Sequence, residues 1–151
     1  MTVRTDTKQE ERVLAAAAHG SILVSLLTSG LGGVLAATAI WLTQREKSGY
    51  AAFQALQALV YQVVTFVISA VTWTCWGLAW LAMIVPPLFA NHAAYENAPP
   101  AGLWIGLLLM AVPIAVHGLT VLYALWAALR CLGGHEFRYA IIGRWLESHG
   151  Q

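Results

Sequence analysis

Charged side chains are scarce in this sequence. Eight Lys and Arg and seven Asp and Glu make up 10% of the 151 residues, while hydrophobic residues make up 59%. Soluble proteins carry roughly 25% charged residues. The net charge of +1 leaves no basic surface to neutralise phosphates, so a nucleic-acid partner is not expected. The two cysteines, Cys75 and Cys131, stand alone in apolar or membrane-edge sequence and indicate neither a disulfide nor a metal site.

Charge is absent altogether from residues 13–44, 48–95 and 97–129. Each of these stretches exceeds the roughly 20 apolar residues that cross a hydrocarbon core of about 30 Å. A helix on a soluble core would show a polar face at every turn, and these stretches do not. The sequence therefore predicts an all-α polytopic integral membrane protein with a single transmembrane domain. Its predicted parts are a polar lead-in at 1–12, membrane segments at 13–43, 48–87 and 103–132, and an amphipathic tail at 135–151.

The first membrane segment is interrupted in its middle by Gly30, Gly32 and Gly33. Glycine lowers helix stability by about 1 kcal/mol relative to alanine, and Gly-Ser pairs are common kink points. Two structures are compatible with this pattern. One is a single kinked span. The other is a short helical hairpin of residues 13–27 and 34–42 that dips into the membrane and returns, giving four helices in all. Its second piece is too short to cross alone at about 1.5 Å per residue.

The other segments have clearer punctuation. Ser48 is a good N-cap for the second helix, and Pro86-Pro87 is expected to end it. The third segment, 103–132, is expected to be one span, since Pro113 is tolerable where neighbouring groups satisfy the freed carbonyl. In the tail, Phe137, Ile141, Ile142 and Trp145 oppose Arg138, Arg144 and Glu147, which predicts a helix on the membrane surface.

Positive charge sets the predicted topology. The residues that set it are Arg45, Lys47, Arg130, Arg138 and Arg144. Loop 91–102 has no Lys or Arg. We therefore expect loop 43–49 and the C-terminus to be cytoplasmic and loop 91–102 to be external, in a bacterial inner membrane. The side of the N-terminus depends on whether 13–43 is a span or a hairpin.

Residues 41–58, WLTQREKSGYAAFQALQA, resemble a small bacterial membrane-protein family of unknown function. That family is similar to the chloroplast inner-envelope protein-import translocon subunit and includes the magnetosome protein MamF. The lead-in AAHG at 17–20 and the tail GHEFRY at 134–139 match it more weakly, since Phe137 replaces a tyrosine and Ala140 replaces a proline. The resemblance implies three or four membrane helices and no established enzymatic activity.

A polar stripe follows one face of the second segment at spacings of three and four. It consists of Gln54, Gln57, Tyr61, Thr65 and Ser69. These side chains either hydrogen-bond helix to helix inside the bundle or line a polar path, and the packing interpretation is favoured.

Two histidines, His19 and His117, lie within apolar stretches and are the candidate ligands for a b-type haem. A haem-binding role is disfavoured for these two histidines, because the repeated histidine spacing of haem bundles is missing. No cofactor and no metal site are therefore predicted. No catalytic set of Ser-His-Asp, paired carboxylates or Cys-His is assembled either, so we do not expect an enzyme.

The sequence as a whole predicts a non-catalytic scaffold, assembly or accessory subunit. Its partners would be the lipid bilayer and other membrane subunits or further copies of itself. The first alternative is a channel or protein-translocation component that uses the Gln54–Ser69 face. The second alternative is a haem-binding redox subunit.

Overall fold

The structure is a computed structural model that describes residues 8–90, 99, 101–140 and 142–149. All regular structure in this part of the chain is helical, which confirms the all-α prediction. The helices are α1 (Gln9–Gly20), α2 (Ile22–Leu27), α3 (Leu31–Gln44), α4 (Gly49–Ala90), α5 (Ala101–Leu109), α6 (Ala111–Leu132) and α7 (Ile142–His149). The chain divides into two compact units. The first consists of Met1–Phe66 and Thr120–Gln151, and the second of Val67–Leu119.

The first predicted membrane segment is a helical hairpin. The chain reverses at Ser29 and Gly30, whose φ angles of 52° and 96° are both left-handed. Helix α3 then folds back against α1 and α2. Glycine takes up such a φ angle without a steric cost, so Gly30 is well placed for the reversal. Of the two structures that the sequence allows, the local geometry is that of the hairpin.

Helix α4 begins where the sequence predicts, because the Ser48 hydroxyl accepts the backbone N–H of Ala51 at 3.2 Å. The prediction that Pro86-Pro87 ends this helix is wrong, since α4 continues to Ala90. Pro87 has no N–H for the carbonyl of Met83. That carbonyl lies against Gly102 of α5, where a Cβ atom would be only 2.8 Å from the Met83 oxygen. The missing side chain of Gly102 lets the two backbones approach at this point.

The third predicted segment lies within one stretch, Ala101–Leu132, that is long and apolar enough for the single span expected, although its helix is interrupted. Helices α5 and α6 meet at Met110, three residues before Pro113, which supplies no N–H to Leu109. Hydrogen bonds from Met110 N to Gly106 O (3.0 Å) and from Ile114 N to Met110 O (3.3 Å) bridge the break.

Two described stretches, Gly49–Pro86 and Ala101–Leu132, are long and apolar enough to cross a membrane. The first predicted segment, 13–43, offers α3 as a shorter apolar helix, so the predicted count of three spans is not confirmed. Of the predicted external loop 91–102, residues 91–98 and 100 lie outside the described residues.

The tail departs from the predicted surface helix at its beginning. Residues 135–139 have no regular secondary structure, and helix resumes only at Ile142–His149. The end of α6 explains this. His135 N donates to Arg130 O and Gly134 N donates to Cys131 O, both at 3.0 Å, while Gly134 has a φ angle of +74°. This is a Schellman cap, which stops the helix and turns the chain back over the first unit. Ile141 and the side chain of Trp145 lie outside the described residues.

Small residues make up most of the core of the first unit. Fully buried alanines bring α1, α3, α4 and α6 close together: Ala15, Ala18, Ala37, Ala51, Ala55, Ala58 and Ala127. Close backbone approach through small side chains is typical of helix packing in membranes. Apart from Ile22, the large buried side chains in this core are polar or aromatic, and several of them form the site described next.

Candidate functional site

Two glutamines of α4 hold the backbone of the C-terminal tail. Gln54 and Gln57 are 1% and 0% exposed. Their Nε2 groups both donate to the carbonyl oxygen of Phe137, at 3.0 Å and 3.3 Å. The backbone N–H of Tyr139 donates back to Gln57 Oε1 at 3.1 Å. The backbone of residues 137 and 139 thus forms hydrogen bonds to side-chain amides in place of a neighbouring backbone.

These bonds fix the proton positions on His19, which is fully buried in α1. Gln54 must turn its NH₂ group to the Phe137 carbonyl, since a carbonyl only accepts. Gln54 Oε1 therefore accepts from His19 Nε2, at 3.1 Å. The remaining ring nitrogen, Nδ1, then accepts from the hydroxyl of Tyr139, also at 3.1 Å. Full burial disfavours a charged ring, so the arrangement fits a neutral imidazole with its proton on Nε2 and both ring nitrogens hydrogen bonded.

Tyr139 connects this network to an aromatic cluster. It is 3% exposed, and its ring stacks on Tyr61 with centroids 4.2 Å apart and planes 4° apart. Phe137 and Tyr123 pack against it edge to face. Burial raises the pKa of the Tyr139 hydroxyl above its usual value, with Tyr61 and Tyr123 adding to the effect. Tyr139 is therefore a neutral phenol that can donate to His19.

The local sequence accounts for this arrangement. Burial alternates along the tail, where Phe137 and Tyr139 enter the core while Glu136 and Arg138 stay exposed, as in a segment whose successive side chains point to opposite sides. Those two outer side chains form an ion pair at 3.1 Å. On α4, a spacing of three places Gln54 and Gln57 on one face, and the next turn adds Tyr61. We define His19, Gln54, Gln57, Phe137 and Tyr139 as the tail-docking cluster.

The rest of the predicted polar stripe is divided. Tyr61 donates from its hydroxyl to Thr120 O at 2.8 Å, and buried Thr65 donates to Gln62 O at 3.2 Å, both within the first unit. Ser69 belongs to the second unit, where its hydroxyl lies 3.2 Å from His117 Nδ1. The structure therefore brings Gln54, Gln57 and Tyr61 to the tail and places Ser69 with His117 elsewhere.

Gln62 is a functional-site candidate that the stripe did not include. It is 3% exposed, and its Nε2 donates to Ala18 O (3.1 Å) and Ser21 Oγ (3.0 Å). It lies one residue off the stripe, beside Tyr61, and so breaks the spacing of three and four. A third amide on α4, in its more apolar part, was the available signal, because most buried polar side chains have a hydrogen-bond partner.

The residues predicted to set topology lie on the surface of the first unit. Arg45, Lys47, Arg130, Arg138 and Arg144 are all exposed. Arg45 forms an ion pair with Glu46 at 3.6 Å, and Arg144 Nε donates to Ala140 O at 2.7 Å. Exposed ion pairs contribute little to stability.

The tail-docking cluster holds the backbone of the chain's own tail. Its donors and acceptors are amide, phenol, imidazole and backbone groups, with Cys131 Sγ lying 3.6 Å from Gln54 Oε1. In the part of the chain that the structure describes, no three His, Cys, Asp or Glu residues are placed to hold a metal ion. Since both nitrogens of His19 are already hydrogen bonded, its geometry adds no support to the haem hypothesis.

The described residues form a helical protein with two stretches long and apolar enough to cross a membrane, and residues 137 and 139 of its tail are hydrogen bonded to α4. Residues 10–146 match the MamF/MmsF family, described as the magnetosome magnetite crystal formation protein family, and the chain belongs to it. This match confirms the magnetosome part of the resemblance seen in the sequence, whereas the likeness to the chloroplast translocon subunit stays a prediction. Neither a curated protein nor a solved structure matches the chain.

Proposed function

We propose that the protein is a non-catalytic accessory subunit of the magnetosome membrane. In this role it supports magnetite crystal formation by packing its helices against other membrane subunits or further copies of itself. Membership of the magnetosome crystal-formation family carries the biological part of the proposal. The distribution of polar and apolar groups supports the accessory role.

The apolar helices present large side chains outwards. Leu78 and Leu81 of α4 are 63% and 53% exposed, and Leu108 of α5 and Leu119 of α6 are 75% and 67% exposed. In lipid such surfaces contact acyl chains or other apolar helices, and association depends on packing and a few hydrogen bonds. An accessory subunit needs a surface of this kind.

The polar groups of the first unit are used internally. A path-lining face would present its amides to a passing solute, whereas Gln54 and Gln57 are occupied by the backbone of Phe137 and Tyr139. This observation favours packing over the channel alternative.

Deletion of the gene in a magnetosome-forming bacterium tests the proposal. We expect the size or number of magnetite crystals in electron micrographs to change and to be restored by the wild-type gene. Native mass spectrometry of protein purified in mild detergent should then reveal co-purifying subunits or a homo-oligomer. Unchanged crystals would remove the magnetosome role.

The alternatives predict different results in the same preparations. A Soret absorbance band in the purified protein would favour the haem-binding subunit. A transport defect in vesicles, caused by Gln57→Leu in a protein that keeps its wild-type melting temperature, would favour the channel. The predicted inner-membrane location, with loop 43–49 and the C-terminus on the cytoplasmic side, stays part of the proposal.

A further inference from the structure

Most hydrogen-bonding groups at the turn between α2 and α3 are paired within the protein. The first N–H groups of a helix have no partner within it. Here Leu31 N donates to Thr28 O (3.2 Å), Gly32 N to Thr28 Oγ1 (2.8 Å) and Gly33 N to Ser25 Oγ (3.1 Å). Each N–H at the start of α3 thus finds a partner in the end of α2, and none of these three depends on water.

Three hydroxyl groups around the turn, those of Ser21, Ser25 and Thr28, are paired within the protein, while Ser29 at the reversal itself is exposed. Thr28 Oγ1 donates to Val24 O at 2.7 Å, and Ser25 Oγ donates to Gly30 O at 3.2 Å. At the break between α1 and α2, Ser21 Oγ donates to Ala18 O at 2.7 Å. In water these groups could bond to solvent, but in hydrocarbon each must be paired within the protein.

The surface around the turn is apolar and open. Leu27 is 88% exposed and Leu31 is 58% exposed at the tip, and Leu35 is 69% exposed one turn further along α3. Leu23 and Leu26 continue the surface on α2, at 47% and 48%. A cluster of exposed leucines around a turn with paired polar groups fits a partner made of acyl chains.

The length and charge of the hairpin limit how it can enter a bilayer. Helix α3 has 14 residues, or about 21 Å at 1.5 Å per residue, which is less than a core of about 30 Å. Ser21 Oγ lies 3.2 Å from Gly33 O, and Ala18 and Ala37, one turn further from the reversal on each helix, share a buried cluster, so α1 and α3 run antiparallel. Arg12 and Arg45 therefore both lie at the end away from the turn. Neither could follow the leucines into hydrocarbon without a large cost.

We propose that α1–α3 form a re-entrant hairpin. Its tip, from Leu23 to Leu35, inserts among the acyl chains of one leaflet, and the chain returns to the side from which it entered. Arg12 and Arg45–Lys47 then lie on the same side of the membrane. The inference is independent of the accessory role, because it concerns only how this hairpin meets lipid.

Site-directed spin labelling of the full chain tests the insertion. Single cysteines are placed at Leu27 (the tip), Lys47 (the base) and Leu78 (an exposed position on an apolar helix) in a Cys75→Ala, Cys131→Ser background. The proteins are reconstituted in phosphatidylcholine–phosphatidylglycerol vesicles. Collision rates with oxygen, which partitions into lipid, are compared with those for a water-soluble nickel chelate. We expect the oxygen-to-nickel ratio at Leu27→Cys to exceed that at Lys47→Cys several-fold and to approach that at Leu78→Cys.

Two results would overturn the insertion. A ratio at Leu27→Cys equal to that at Lys47→Cys would place the tip in water. Protection from both reagents with spin–spin broadening would place a second copy on the leucines instead of lipid.

The return of the chain is tested separately with a membrane-impermeant maleimide. Gln9→Cys and Lys47→Cys are both exposed positions at the base of the hairpin. We expect both to react from the same side of sealed vesicles of uniform orientation. Reaction from opposite sides would show that the segment crosses.

Discussion

Nδ1 of His19 and the hydroxyl of Tyr139 meet at 3.1 Å, although 120 residues separate them in the chain. The contact ties α1 to the tail in a region where His19 is fully buried and Tyr139 is 3% exposed. Gln54 Oε1 accepts the hydrogen bond from the Nε2–H group of His19. The Tyr139 hydroxyl is then the donor to the other ring nitrogen, Nδ1. The stability of the first unit should therefore respond to this one hydroxyl.

Tyr139→Phe keeps the ring stacked on Tyr61 and removes only the hydroxyl. His19 Nδ1 then becomes a buried acceptor without a partner, which costs about 1–3 kcal/mol. We expect a lower melting temperature in mild detergent. Tyr123→Phe is the matched control, because Tyr123 is 41% exposed and packs against the same cluster. Equal melting temperatures for the two variants would show that the hydroxyl contributes nothing.

Gln57→Leu should release the tail more strongly than the loss of one hydrogen bond suggests. Gln57 both donates to Phe137 O and accepts from Tyr139 N, so leucine fills the volume but leaves a buried backbone N–H unpaired. We expect faster hydrogen–deuterium exchange in residues 135–140 together with a lower melting temperature. Gln9→Leu, at an exposed position of α1, serves as the control. Exchange in 135–140 that matches the wild type would contradict the docking of the tail by Gln57.

Gly106→Ala should disturb the tryptophans of the second unit. A Cβ atom at Gly106 would clash with the ring of Trp80, and Trp76 Nε1 donates to Gly106 O at 2.9 Å. Trp76 and Trp80 are stacked with centroids 5.2 Å apart, so a shift in one moves the other. We expect a changed tryptophan emission spectrum and reduced stability.

Gly118→Ala is the control for that substitution, since nothing lies within 4 Å of a Cβ atom there. Alanine favours helix over glycine by about 1 kcal/mol, so this control should be neutral or stabilising. Destabilisation of the same size in both variants would show that the close approach of Trp80 to Gly106 has no effect.

The sequence predicts the helical class, the Ser48 cap and the hairpin alternative because these depend on local patterns. The lengths of the charge-free stretches predict the apolar helices, and the glycines at 30, 32 and 33 indicate where the chain reverses. The partner of a polar stripe depends on tertiary structure, which local patterns do not contain. The sequence shows Gln54 and Gln57 as a stripe, but their partner is the backbone of residues 137–139, where the sequence predicted a surface helix.

Proline positions show the same limit. Pro86-Pro87 was expected to end α4 because the local rule counts a lost N–H. The tertiary approach of Gly102 to Met83 lies outside any such rule. At Pro113 the local rule applies, because the break between α5 and α6 lies at Met110, in the turn before the proline.

Gly134→Ala should weaken the docking of the tail at its origin. Gly134 has a φ angle of +74° at the end of α6, where a side chain is strained, and a Cβ atom would lie 2.8 Å from the guanidinium carbon of Arg12. Glycine at this position of a Schellman cap lets the chain reverse after α6. Alanine is expected to cost about 1 kcal/mol or more, because it is incompatible with the positive φ angle.

The measurement for this variant is again exchange in residues 135–140, with melting temperature beside it. Gly49→Ala is the control, since it opens α4 with nothing within 4 Å of its added Cβ atom. If Gly134→Ala loosens the tail while the hydrogen-bonding groups of Gln57 are intact, docking of the tail requires both the reversal at Gly134 and the tail-docking cluster. A tail that stays protected in Gly134→Ala would mean that the cluster alone holds Phe137 and Tyr139, whatever path the chain takes from α6.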